Sequence, residues 1–101
     1  MRTREKSYAD YGITEEEKRY IMDFCHNANE EEKLIIKTAL SEINPYISLR
    51  IYDSLVNDLS YDDLCKREYI YMCPVDFYGH RRQGMEAIKR WMILSGIWKI
   101  E

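Results

Sequence analysis

The sequence predicts an all-α domain of about five helices with a helix-turn-helix at its C-terminal end. Three observations carry that prediction. Apolar residues recur at three- and four-residue spacing through several stretches, the signature of helices with one buried face. Thr14/Glu17, Asn29/Glu32 and Ser60/Asp63 each place an N-capping side chain three residues before an acid, the pattern that opens a helix. Only four glycines and two prolines punctuate 101 residues, of which 46 % are hydrophobic and 33 % charged, a composition that suits one compact helical unit.

Residues 1–12 mix Arg2, Arg4 and Lys6 with Tyr8, Tyr11 and a closing Gly12 and show no sustained period, so they are expected to form an extended arm. The Thr14 cap starts a first helix running to about Asn27, with Ile21, Phe24 and Cys25 facing inward. The Asn29 cap starts a second, ending near Asn44, with Ile35, Ile36, Ala39, Leu40 and Ile43 buried; residues 14–43 then form a helical hairpin with a very short loop. Asn44-Pro45 supplies a cap and a first helical residue for a third helix to about Asn57, facing in with Ile47, Ile51, Leu55 and Val56.

Residues 44–94 hold the helix-turn-helix. Ser60 caps a short fourth helix, and a connector leads to Pro74, whose missing N–H suits the first position of a long fifth helix. On that helix Phe77, Gly84, Ile88, Trp91 and Met92 share the core side, with Met85 at its edge. The opposite side and flank collect Tyr78, Gly79, Arg82, Gln83, Glu86, Lys89 and Arg90. Arg81 projects into the apolar sector, so its side chain must snorkel past Phe77 or meet a partner. Ser95-Gly96 ends the helix. The tail 95–101 contains Ile97, Trp98 and Ile100 and is too apolar to stay in water, so it folds back or meets another chain.

Leu59-Ser60-Tyr61-Asp62-Asp63-Leu64, followed by Phe77-Tyr78-Gly79-His80-Arg81-Arg82 with Gly84, Met85 and Ile88, resembles the helix-turn-helix of sigma-factor region 4. The nearest flavour is that of late-gene transcription regulators in phages of Gram-positive bacteria, and the resemblance spans residues 47 to 92. It implies a scaffold helix opened by Ser60 and a recognition helix carrying the Phe-Tyr and basic residues. The chain departs from that pattern in its connector. Glu68 to Cys73 has no glycine and is rich in aromatic and apolar residues, and Cys73 stands where a serine or threonine usually caps the recognition helix.

Charge divides the chain. Residues 1–65 carry 8 Lys/Arg against 14 Asp/Glu, whereas residues 66–101 carry 7 against 4, so the basic part is C-terminal although the sequence pI is about 5.4. No run reaches the ~18 apolar residues that cross a bilayer, and the N-terminal residues lack the apolar stretch of a signal peptide, so no membrane contact is expected. The expected location is the cytoplasm of a bacterial host. Cys25, Cys65 and Cys73 are an odd number without CxxC spacing and are expected to be buried thiols.

No nucleophile–base context or glycine-rich phosphate loop is present, so neither catalysis nor a cofactor is expected, and Cys25-His26 point to different sides of a helix and do not make a metal site. The expected function is non-enzymatic DNA binding or transcription regulation of phage or mobile-element type. Tyr78, His80 and Arg82 would lie near the groove of duplex DNA and Arg81, Lys89 and Arg90 on its phosphates. A second reading belongs to another class: a small phage-type protein that binds and inhibits or redirects a nucleic-acid-handling protein, such as RNA polymerase or a defence nuclease of the CRISPR-effector kind. Tyr69, Tyr71 and Trp98 would then touch the partner. Homodimerisation through Trp98 is compatible with both. The Tyr69-Ile70-Tyr71-Met72 alternation suits an extended segment with Ile70 and Met72 inside and the tyrosines outside.

Overall fold

A computed structural model describes residues 2–100, and every regular element among them is helical. Five α-helices follow in order: α1 (Glu15–His26), α2 (Glu30–Leu40), α3 (Ser48–Val56), α4 (Tyr61–Cys65) and α5 (Pro74–Leu94). The predicted capping boxes open three of them. Thr14, Asn29 and Ser60 each accept a bond from the backbone N–H three residues on, while Glu17, Glu32 and Asp63 reach back to the cap residue's own N–H. Pro74 occupies the first turn of α5, but the Cys73 side chain caps nothing; its thiol donates instead to Asp76 Oδ2 at 3.2 Å.

Two helix ends differ from expectation. α2 stops at Leu40 rather than Asn44, because Ser41, Glu42 and Ile43 turn by bonds to carbonyls three residues back and the Ser41 hydroxyl takes the Thr38 carbonyl at 2.6 Å. α3 begins at Ser48 rather than Pro45. The Asn44 side chain accepts the Tyr46 N–H at 2.9 Å, so Asn44-Pro45-Tyr46 forms a turn whose residues precede the helix. Ile43 and Ile47, which flank this turn, remain buried.

The core is a single cluster gathered round α5. Ile21 and Cys25 of α1, Ile36, Ala39 and Leu40 of α2, Ile51 and Leu55 of α3 and Leu64 of α4 join Phe77, Met85, Ile88 and Met92 of α5. α1 and α2 pack chiefly on α3 and α5 rather than on each other. α5 and α2 approach closely where Gly84 meets Leu40; a Cβ at residue 84 would stand 2.6 Å from Leu40 Cδ2.

The N-terminal residues correct the expectation of an extended arm. They form two 3-10 turns, Thr3–Glu5 and Ala9–Tyr11, laid across the outer side of α5. Ser7 and Asp10 cap the second turn reciprocally, Tyr8 packs on the core with its hydroxyl 3.6 Å from Met85 Sδ, and Ile13 is buried. Gly79, expected on an open face, is buried here. A Cβ at residue 79 would lie 2.8 Å from Arg4 Cα and 2.9 Å from the Thr3 carbonyl, so only glycine lets the two backbones meet.

The tail also turns inward. Ile97 N–H bonds the Met92 carbonyl at 3.0 Å, the Trp98 ring meets Tyr20 edge-on at 5.1 Å, and the Tyr20 hydroxyl accepts from Lys99 N–H at 3.1 Å. Of the three cysteines only Cys25 is buried; Cys65 and Cys73 are exposed, because one ends α4 and the other stands before α5, outside the core-facing rows.

The two close approaches differ in what must yield. Gly84→Ala presses on the end of a leucine side chain, whereas Gly79→Ala presses on backbone. Gly79→Ala should therefore lower stability by ~1–3 kcal/mol despite the ~1 kcal/mol gain in helix propensity, and speed amide exchange over residues 3–12. Urea titration with hydrogen exchange checks this. Gly84→Ala should leave exchange in the arm unchanged.

Candidate interaction surfaces

The basic residues of α5 are spent largely within the fold. Arg82, on the outer side, donates through Nε to the Lys6 carbonyl at 2.7 Å and through Nη2 to the Arg4 carbonyl at 3.4 Å. It thereby fastens the arm through two of its backbone carbonyls. Arg4 in turn pairs with Asp76 at 3.3 Å. Lys89 bridges Glu17 at 2.9 Å and the Gly12 carbonyl at 3.1 Å, joining the start of α1 to the end of the arm. Arg90 pairs with Glu86 at 2.8 Å and with Glu42 at 3.0 Å, and Glu42 also accepts the indole N–H of Trp91.

Arg81 answers the question its position raised. Its guanidinium runs inward, donating to Ser54 Oγ at 3.1 Å and lying over the Tyr78 ring at 5.3 Å. Ser54 is itself buried and donates to the Leu59 carbonyl at 2.6 Å, so Arg81, α3 and the approach to α4 share one polar node. Arg81 Nε is buried without a hydrogen-bond partner among the described residues. Tyr78 accepts the Tyr61 N–H at 3.0 Å, which ties the first turn of α4 to α5. His80 Nδ1 lies 3.4 Å from Gln83 Oε1 and is half-buried. Of the residues expected near nucleic acid, then, Arg81 and Tyr78 are structural links, Arg82 and Lys89 hold the arm, and Arg90 closes a surface ion-pair network.

The connector presents the opposite case. Ile70 is buried and Met72 half-buried, while Tyr69 and Tyr71 are 72 % and 75 % exposed, the alternation expected of that segment. Their rings meet edge-on at 4.3 Å, and Tyr46 stands 6.5 Å from Tyr71, so three exposed tyrosines form one patch. Leu49, in the first turn of α3 and 61 % exposed, adds apolar surface to the helix that follows Tyr46. Arg50 and Glu68 pair at 2.5 Å and link α3 to the connector. Trp98, expected with Tyr69 and Tyr71 as a partner contact, is half-buried on Tyr20 and lies 5.5 Å from Lys89 Nζ.

Tyr46 and Leu49 were missed in the sequence, although signals for both exist. Asn44-Pro45-Tyr46 carries turn chemistry that puts Tyr46 outside the helix, and Leu49 falls between the inward positions Ile47 and Ile51. Among the described residues no three His, Cys, Asp or Glu side chains gather as a metal site, and no helix is long and apolar enough to cross a membrane. Compared with known proteins, the chain matches no family model, no curated protein and no solved structure.

The network that seats the arm and α2 is built on carboxylates held below their usual range. The Thr14 backbone N–H, then Lys89, lower Glu17; Trp91 and Arg90 lower Glu42. A carboxyl whose folded pKa is depressed stabilises the fold above its unfolded value and loses that contribution as pH falls through the folded one. Stability should therefore begin to fall near pH 4.5, the ordinary glutamate value, and continue falling below it. Urea midpoints measured from pH 7 to pH 3 check this, and Glu17→Gln with Glu42→Gln should flatten the acid limb.

Proposed function

We propose that this chain is a non-enzymatic binding protein of phage or mobile-element type that docks through its tyrosine patch onto a nucleic-acid-handling protein and inhibits or redirects it. RNA polymerase and a defence nuclease of the CRISPR-effector kind are the partners in view. The observation that carries the reading is the contrast between two surfaces. The outward side of α5, where a recognition helix would meet bases, is overlaid by the arm at Gly79 and Arg82. Tyr46, Tyr69 and Tyr71 lie together in the open.

Tyrosines are frequent anchors in protein interfaces because each offers a large rigid apolar area with a polar tip. The acidic balance of residues 1–65 adds long-range attraction to a basic partner, as expected of a protein that handles nucleic acid. The helix-turn-helix resemblance is compatible with this use, since fold alone does not fix function.

A second reading, DNA binding with transcription regulation, is favoured by one observation. The arm brings Arg4 and Lys6 alongside Arg82, so cations from two distant parts of the chain share one side of the molecule. Phosphate contacts would then come from Arg2, Arg4 and Lys6 of the arm, with Arg82 holding it in place.

Two measurements separate the readings. In the first, purified bacterial RNA polymerase is captured on the immobilised protein; Tyr69→Ala with Tyr71→Ala should weaken capture by about 30-fold, the effect of losing ~2 kcal/mol of interface energy, while shifting the urea midpoint little. In the second, duplex DNA is titrated by fluorescence anisotropy at two salt concentrations, and a flat response is expected. Micromolar DNA binding that weakens steeply with salt and disappears when Arg2, Arg4 and Lys6 are replaced by alanine would decide for the second reading.

A further inference from the structure

The connector leaves α4 at Cys65 and enters α5 through Cys73; both cysteines are exposed and outside any disulfide, and the Cys73 thiol donates to Asp76. They line one cleft of about 550 Å³ together with Tyr61, Tyr69, Ile70, Tyr71 and Met72. The Tyr61 phenol brings the two ends of the connector together. Tyr61 and Cys65 are four residues apart on α4, so they share a face. The same phenol donates to the Met72 carbonyl at 2.5 Å, which fixes the peptide leading directly into Cys73.

The chemistry of the phenol agrees with this convergence. Its pKa is raised, first by the neighbouring Cys65 side chain and then by desolvation, with a further contribution from Cys73. The third cysteine is set apart. Cys25 is fully buried beneath α3 and α5, and burial pushes its thiol up to about 12, which keeps it protonated and unreactive. Asp76 lies beside Cys73, but among the described residues no three His, Cys, Asp or Glu side chains gather as a metal site, so two accessible sulfurs at one cleft suit thiol–disulfide exchange better than four-coordinate metal binding.

We propose that Cys65 and Cys73 form a dithiol site that is closed to an intramolecular disulfide by a small disulfide oxidant such as glutathione disulfide. One cysteine thiolate attacks the oxidant, whose S–S bond breaks; a mixed disulfide forms and one glutathione thiolate leaves. The second cysteine thiolate then attacks the protein sulfur of that mixed disulfide and expels the second glutathione. The two protein thiols give up two electrons and two protons, and the oxidant is reduced to two thiols. Closure ties the end of α4 to the start of α5 around residues 66–72, the segment that carries Tyr69 and Tyr71. The site thus offers redox control over the mobility of the tyrosine patch, and it stands whether or not that patch binds a protein.

The experiment incubates the reduced full-length protein with glutathione disulfide, blocks remaining thiols with an alkylating reagent and reads intact mass and linked peptides. The wild type should lose two hydrogens, retain no glutathione, form no disulfide between chains and yield a peptide pair joined through Cys65 and Cys73, with Cys25 unmodified until urea unfolds the chain. Cys65→Ser and Cys73→Ser should each retain one glutathione instead, since neither has a second thiol to expel it. The proposal is overturned if the wild type keeps a glutathione on both cysteines, or leaves both free for alkylation under conditions that modify the single variants. A bridge to Cys25 or between two chains would overturn it equally.

Discussion

The seat of the N-terminal arm on the outer side of α5 is the contact on which the rest of the structure depends. It converts the longest helix of the chain from a surface element into a central one, packed against α2 at Gly84 and against the arm at Gly79. Both approaches need the side chain to be absent. On the arm side the neighbour is backbone, which has nowhere to move. Arg82 then supplies donors to the carbonyls of Arg4 and Lys6, so the polar groups of the arm are satisfied where they meet the helix.

That arrangement redistributes the meaning of the charged residues. A cluster of cations on one helix is often a solvated face or a phosphate-binding face. Here Lys89 ties α1 to the arm, Arg90 ties α5 to Glu42, and Arg81 ties α5 to Ser54 of α3. Each of these cations bridges separate elements, which is the work of holding short helices around one long one. Three aromatic side chains remain open together. Tyr46, Tyr69 and Tyr71 are exposed because α3 starts late, after the Asn44-Pro45-Tyr46 turn, and because the connector alternates inward and outward residues.

The connector holds the exposed tyrosines Tyr69 and Tyr71 and ends at the two exposed cysteines. The absence of a glycine between Glu68 and Cys73 goes with a segment that packs Ile70 inward and is pinned by the Tyr61 phenol at Met72. Tyr61 meets Phe77 at 5.5 Å and its backbone N–H meets the Tyr78 hydroxyl, so α4 is fixed to α5 by aromatic contacts rather than by a tight turn. The same residues frame the Cys65–Cys73 cleft and carry the tyrosine patch.

The sequence by itself determined the all-α class and the starts of α1, α2, α4 and α5, because Thr14/Glu17, Asn29/Glu32, Ser60/Asp63 and Pro74 act over a single turn and need nothing distant. It also determined the inward rows of those helices, from Ile21 and Cys25 through Leu40 to Phe77 and Ile88, since a helical period is local. The start of α3 was misread because a local Asx turn at Asn44 competed with a helix start of the same composition. Tertiary structure alone decided that Gly79 would face the arm, that Arg82 and Lys89 would spend their donors on carbonyls some 77 residues away, and that Cys65 and Cys73 would share a cleft. Those outcomes rest on which surfaces meet when the helices pack, and the spacing of residues along one helix carries no record of what will lie against its other side.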